Sequence, residues 1–241
     1  MFNNKPYSEV NREERFYCAL FGHALLSSQL IRERFAKLIK SKFGLSLKSG
    51  VFEIFLEVAA LRDYWNDLGD PIVYSEETHR RRRIVITSIL QMMNVPETAI
   101  DTHHFFWTSD QHKKLWSPGK WEPRLIRESG FDELIKIRWA FNAKPDILII
   151  SNSTALMIEG KLESGEGRSE DSGYQQYDIQ ELIISLLQLL VPPFKNLKFF
   201  KTILALDSPN GISWKDVLTI AEDGELDDFT VRCFSQLRRY E

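Results

Sequence analysis

Two short apolar runs, Ile147–Ile150 and Ala155–Ile158, constrain this chain more than any other feature. Both are nearly all apolar and rich in isoleucine, as central strands buried on both faces are. Asn152-Ser153 between them is a polar pair suited to a two-residue hairpin turn. That turn fixes the register: Ser151 faces Thr154, Ile150 faces Ala155 and, continuing outward, Asp146 faces Glu159. Directly opposed side chains have Cβ atoms about 4.5–5.5 Å apart, and like charges there destabilise a sheet. Lys161, two residues past Glu159, projects from the same face, while Gly160 points away.

The surrounding pattern is helical before this pair and mixed after it. Asn11 followed by Glu14 resembles a capping box, and Tyr17, Leu20, Phe21, Ala24, Leu25 and Ser28 follow at helical spacing. Further helices are expected over about 30–43, 51–68 (stopped by Gly69) and 76–94, with an irregular stretch over 98–130. Leu134 to Ala140 alternates and reads as a half-buried strand. Residues 163–173 lack any apolar side chain and read as an exposed loop, placed to act as a flap beyond Lys161. A helix over about 174–190, a strand over 199–206 and two closing helices over 214–221 and 229–237 complete the chain. The expected class is α/β, a sandwich with a mixed central sheet and an α-helical insertion over about 29–130.

With 43% apolar residues, 241 residues suffice for one core, so a single domain over 1–241 is expected. No run reaches the roughly 18 apolar residues of a membrane span. The first sixteen residues lack the apolar core of a signal peptide, which points to a cytoplasmic protein with Cys18 and Cys233 reduced. A net charge of −3 neither advertises nor excludes nucleic acid. The basic residues gather in two places: Arg32, Arg34, Lys37, Lys40, Lys42 and Lys48, and the run Arg80 to Arg83. Solvated helix faces explain such clusters as readily as a phosphate track does.

Two carboxylates placed together beside a buried sheet need a cation. Oxygen donors suit a hard divalent metal, Mg2+ or Mn2+. The Gly160 carbonyl is a further candidate donor. An ammonium beside such a metal, here Lys161, can orient and help deprotonate a water and offset charge on a phosphorane. The competing structural reading makes Asp146 a strand-start residue and Glu159–Lys161 a salt-bridged pair. It does not explain why all three share one face.

Pro145-Asp146, twelve intervening residues and Glu159-Gly160-Lys161 resemble the motif of the PD-(D/E)XK nuclease superfamily. The resemblance implies a restriction-endonuclease-like fold, ordered as a helix, a three-stranded meander, a helix and a further strand. It implies Mg2+- or Mn2+-dependent hydrolysis of nucleic acid, endo- or exonucleolytic, DNA before RNA, with Asp146 and Glu159 on the metal. It also implies a glutamate from the first helix near the metal, Glu14 or Glu13, and a polar residue opening the later helix, Gln175 or Gln176. Glu14 is equally a capping partner for Asn11. The rival readings are a non-cleaving nucleic-acid or protein-binding module that keeps the fold, and a subunit that needs a homodimer or partner protein. His103, His104 and His112 with Asp101 and Asp110 match no tetrahedral zinc signature. Trp107, Trp116 and Trp121 are expected to pack the insertion rather than to stack bases.

Overall fold

The structure, a computed structural model, describes residues 14–69, 75–108, 114–162, 176–206, 208–222 and 225–237. In chain order they form α1 (Glu14–Ser27), α2 (Gln29–Phe43), β1 (Phe52–Leu56), α3 (Ala60–Asp67), α4 (Glu76–Met92), α5 (Ala99–Thr102), α6 (Pro123–Glu128) and α7 (Leu134–Asn142). Then come β2 (Ile147–Ser151), β3 (Thr154–Gly160), α8 (Gln176–Leu190), β4 (Lys198–Ala205), β5 (Ile212–Ser213), α9 (Trp214–Ala221) and α10 (Asp228–Leu237). The protein is therefore mixed α/β. It divides into two compact units: Met1–Val58, Pro145–Gly165 and Leu197–Glu241 in one, Ala59–Lys144 and Glu166–Asn196 in the other. Residues 29–58, expected within the helical insertion, belong with the sheet.

The first unit is built on a five-stranded sheet in the order β1-β2-β3-β4-β5. β1, β2 and β3 form an antiparallel meander, and β4 and β5 add in parallel. The hairpin has the expected register, Ser151 opposite Thr154 and Ile147 opposite Ile158. Its turn is opened by Asn152 at φ 53°, a left-handed conformation that asparagine tolerates better than most residues. Alternation sends Ile147, Ile149, Leu156, Ile158 and Leu204 to one face, where Tyr17, Phe21 and Leu25 of α1 and Phe35 and Ile39 of α2 cover them. Trp214 and Val217 of α9 and Phe234 of α10 close the same core. Each such large side chain, fully buried, contributes about 1.5–3 kcal/mol. Ser28 caps α2 by accepting from the Ile31 N–H at 3.3 Å, and Gly44 ends it at φ 68°.

Two segments exchange the roles the sequence suggested. Residues 51–68 are not one helix: Phe52, Ile54 and Leu56 turn inward while Glu53 and Phe55 are exposed, the period of a strand. This is β1, the first strand of the meander. Leu134 to Ala140 is helix instead. In α7 the buried positions are Leu134, Ile135, Ile137, Ala140 and Phe141, a wide helical stripe. The alternation of Ile135 and Ile137 with Lys136 and Arg138 is a subset of that stripe.

In the second unit α8 packs with α3, α4 and α7. Phe106 and Trp121, both fully buried, meet edge to face at 5.0 Å between ring centroids, and Phe105 adds a third ring. Trp107 is buried as well, so these tryptophans serve packing. The Arg80–Arg83 run is engaged with its own unit. Arg80 and Arg81 both pair with Glu77, and Arg83 forks onto Asp101 at 2.7 and 2.8 Å. Arg82 is buried, donates to the Gly69 carbonyl at 3.1 Å and lies 5.2 Å from the centre of the Trp65 ring. Among the described residues no helix is long and apolar enough to cross a membrane.

This distribution predicts unequal costs along one basic run. Arg82→Ala should lower stability by about 2–4 kcal/mol in urea unfolding, because it removes a buried side chain and leaves a half-buried carbonyl and an indole face without this partner. Arg81→Ala should cost under about 0.5 kcal/mol, as exposed ion pairs do. Equal losses would refute the assignment.

Candidate active site

The next row of the sheet beyond Leu56, Ile147 and Ile158 collects charge. β1 and β2 pair through Leu56 and Ile147, and β2 and β3 through Ile147 and Ile158. One residue further on stand Glu57, Asp146 and Glu159, and the Glu57 N–H donates to the Asp146 carbonyl at 3.1 Å. Asp146 and Glu159 are 6% and 5% exposed, so their charges meet in a poorly solvated place. Alternation puts both on the face opposite the α1–α2 core.

The local chemistry shows the strain of that arrangement. Burial pushes the Asp146 carboxyl up to about 7. The charge of Glu159 adds to the rise, and so, less strongly, do the charge and adjacent carboxyl of Glu57. The Gly160 N–H opposes it, donating to Asp146 Oδ2 at 2.7 Å. Lys161 Nζ lies 3.4 Å from Glu159 Oε1, with both side chains largely buried. Asp146, Glu159 and Lys161 are thus brought together as expected, and Gly160 is bonded to Asp146 through its N–H.

Gly160 has a steric role besides. The position its Cβ would take is filled by Cys18 Sγ, and Asp146 Oδ2 would lie 3.3 Å away. Only glycine lets β3 approach α1 this closely while its amide holds Asp146.

Glu57 was not singled out from sequence. It ends β1 at φ 50°, a left-handed conformation uncommon for glutamate and worth on the order of 1 kcal/mol of strain. Among the described residues its buried Oε1 accepts no hydrogen bond, and Arg15 Nε forms an ion pair with it at 3.6 Å. The only sequence signal for it is the 52–56 alternation: once that is a strand, the next residue faces Asp146. Glu13 and Gln175 lie outside the described residues, as do the side chains of Glu14 and Gln176 and the loop over 163–175.

Among the described residues no three His, Cys, Asp or Glu side chains are gathered tightly enough to form a ready-made metal cage. Mg2+ does not require one, since it keeps several waters and commonly takes one or two carboxylates. A carboxyl raised by burial and, after it, by its carboxylate neighbours fits such a cation, which would relieve the repulsion. No protein-family model, curated protein or solved structure matches this chain.

Two predictions follow from this geometry. In chelator-treated protein the Asp146 carboxyl has its pKa raised above the unfolded value, so the folded state binds the extra proton. Stability should therefore fall as pH rises from about 4 through about 7. Asp146→Asn should flatten that fall by on the order of 2–4 kcal/mol, read from urea unfolding across the range. Parallel pH profiles would contradict the burial argument. Separately, Gly160→Ala should cost about 1–3 kcal/mol by overpacking, and adding Cys18→Ala should recover most of it. Simple additivity would show that Cys18 is not the obstacle.

Proposed function

We propose that the protein is a Mg2+- or Mn2+-dependent nuclease of the PD-(D/E)XK type that hydrolyses nucleic-acid phosphodiesters, DNA in preference to RNA. The observation carrying this reading is the coincidence of Asp146, Glu159 and Lys161 on one face of two adjacent strands, with Asp146 buried and held at an unusually high pKa. The strand order supports it. An antiparallel meander ending in the Glu-Gly-Lys strand, then a helix and a parallel strand, is the order that the resemblance implies for a restriction-endonuclease-like fold.

In this reading Asp146 and Glu159 hold the metal, the Gly160 carbonyl is a further donor and Glu57 is a third acid within the same row. The cation, when bound, supplies Lewis acidity toward a phosphoryl oxygen and lowers the pKa of a bound water. Lys161 would orient the attacking water and offset the charge that grows on the non-bridging oxygens. Water attacks phosphorus as the bond to the leaving sugar oxygen breaks; the water gives up a proton to solvent and the leaving oxygen takes one up, so that a phosphomonoester and a sugar hydroxyl result. The buried face keeps these charges in a medium where each is worth more than in bulk water.

Phosphate contacts fall to fewer residues than the sequence suggests. Arg32 donates to the Leu25, Leu26 and Ser49 carbonyls, Arg34 to those of Ile220 and Glu222, and Lys42 pairs with Asp216 at 2.8 Å. Lys37, Lys40 and Lys48 are exposed and are the candidates this tract retains. Each such contact positions the backbone without reading sequence.

Wild-type protein incubated with supercoiled, linear and single-stranded DNA and with RNA should cleave at least one of them only when Mg2+ or Mn2+ is present. Either metal should raise the thermal midpoint, and Asp146→Asn should abolish that rise. Lys161→Ala should keep the rise and lose cleavage by roughly 10²–10³-fold. No metal-dependent cleavage and no thermal response in the wild type would overturn the reading.

A further inference from the structure

Lys161 stands one residue past the end of β3, where the sheet no longer fixes the chain on both sides. Its N–H is still held by β4, donating to the Leu204 carbonyl at 2.7 Å. Its carbonyl is held by a side chain, the indole N–H of Trp214, at 3.1 Å. Both peptide groups that flank the Lys161 Cα are therefore pinned, one by a strand and one by the first residue of α9.

The indole is itself fixed with unusual thoroughness. Trp214 is 2% exposed, and its ring meets Tyr17 of α1 edge on, at 6.1 Å between centroids. It opens a helix whose start is a reciprocal capping box: Ser213 Oγ accepts from the Asp216 N–H at 3.1 Å, and Asp216 Oδ2 accepts from the Ser213 N–H at 2.7 Å. Lys42 of α2 grips the same carboxylate at 2.8 Å. Burial alone would raise the Asp216 carboxyl, but Lys42 and the two Ser213 donors hold it below the usual range. The N-terminus of α9 is thus tied to α2 as well as to the sheet, and the indole cannot drift along the strand.

We propose that Trp214 is a positioning residue for Lys161: through the Lys161 carbonyl it aims the ammonium at the Asp146–Glu159 pair. This rests on the nuclease reading and assigns a residue outside the Asp-Glu-Lys motif to its mechanism. A lysine arm multiplies small errors at its Cα, and a misplacement of about 1 Å at a reacting group can cost roughly 100-fold in rate. A purely structural tryptophan would act on folding and would not care whether Lys161 carries its amine.

Trp214→Phe keeps a large ring and deletes the N–H. Its kcat should fall by roughly 10–100-fold, while KM and the Mn2+-induced rise in thermal midpoint stay within about twofold and about one degree of wild type. In the Lys161→Ala background the same substitution should add less than about twofold, because its route to the chemistry is gone. In chelator-treated protein the Lys161 and Leu162 amides should exchange with solvent at least about tenfold faster, with Ile149 and Leu156 unchanged. Should Phe prove too disruptive to fold, benzothienyl-alanine at 214 exchanges the N–H for sulfur at constant shape and carries the same expectations. Undiminished kcat, or an equal loss in both backgrounds, overturns the proposal and leaves the nuclease reading standing. A wild type with neither cleavage nor metal response removes both.

Discussion

Asp146 and Glu159 sit side by side because the hairpin that carries them permits nothing else. A two-residue turn at Asn152-Ser153 sets the register from Thr154 outward, and apolar packing on both faces of β2 and β3 prevents a slip that would turn each strand inside out. The result is a pair of nearly buried like charges at the end of the sheet. What lies around the pair answers it. The Gly160 amide donates to Asp146, Lys161 approaches Glu159 and the Asp146 carboxyl is pushed toward its protonated form. The close approach of Cys18 to Gly160 is the steric consequence of bringing that amide to the carboxylate.

A fold with no use for this pair would gain by replacing it. Uncompensated buried charge costs several kcal/mol, and apolar residues of similar volume are often neutral or stabilising in such places. The nearby lysine lowers the cost without cancelling it, since its ammonium faces the Glu159 carboxylate while Asp146 meets the Gly160 amide and the Glu57 carboxyl. Burial and the neighbouring carboxylates push the Asp146 carboxyl upward, and under the proposed reading a divalent cation would supply the positive charge that relieves it.

The hairpin and its charged end were legible because strand alternation and turn chemistry act over a few residues. The helices α4 and α9 were legible with Ser75 and Ser213 standing just before them, each accepting from the helix it opens, whereas Ser28, which falls at helical spacing with the first helix, caps α2 instead. What failed was the choice of period in apolar-rich segments. Residues 52–56 and 134–142 each satisfy both a strand and a helix pattern over a short window, and only the tertiary surroundings decide between them. Glu57 was hidden by that same ambiguity, because its place in the charged row depends on β1 being a strand. The basic clusters are hard to read for another reason: sequence counts charges but not their partners. Arg82 is buried against Trp65, and Lys42 serves the cap of α9.

The proposed nuclease chemistry requires that the row ending β1, β2 and β3 hold a divalent cation. Crystals soaked in Mn2+ and measured at a wavelength where manganese scatters anomalously test it without reference to substrate or rate. One anomalous peak is expected within about 2.5 Å of carboxylate oxygens of both Asp146 and Glu159. Manganese bound elsewhere with that pair empty, or no ordered manganese at millimolar concentration, would contradict it.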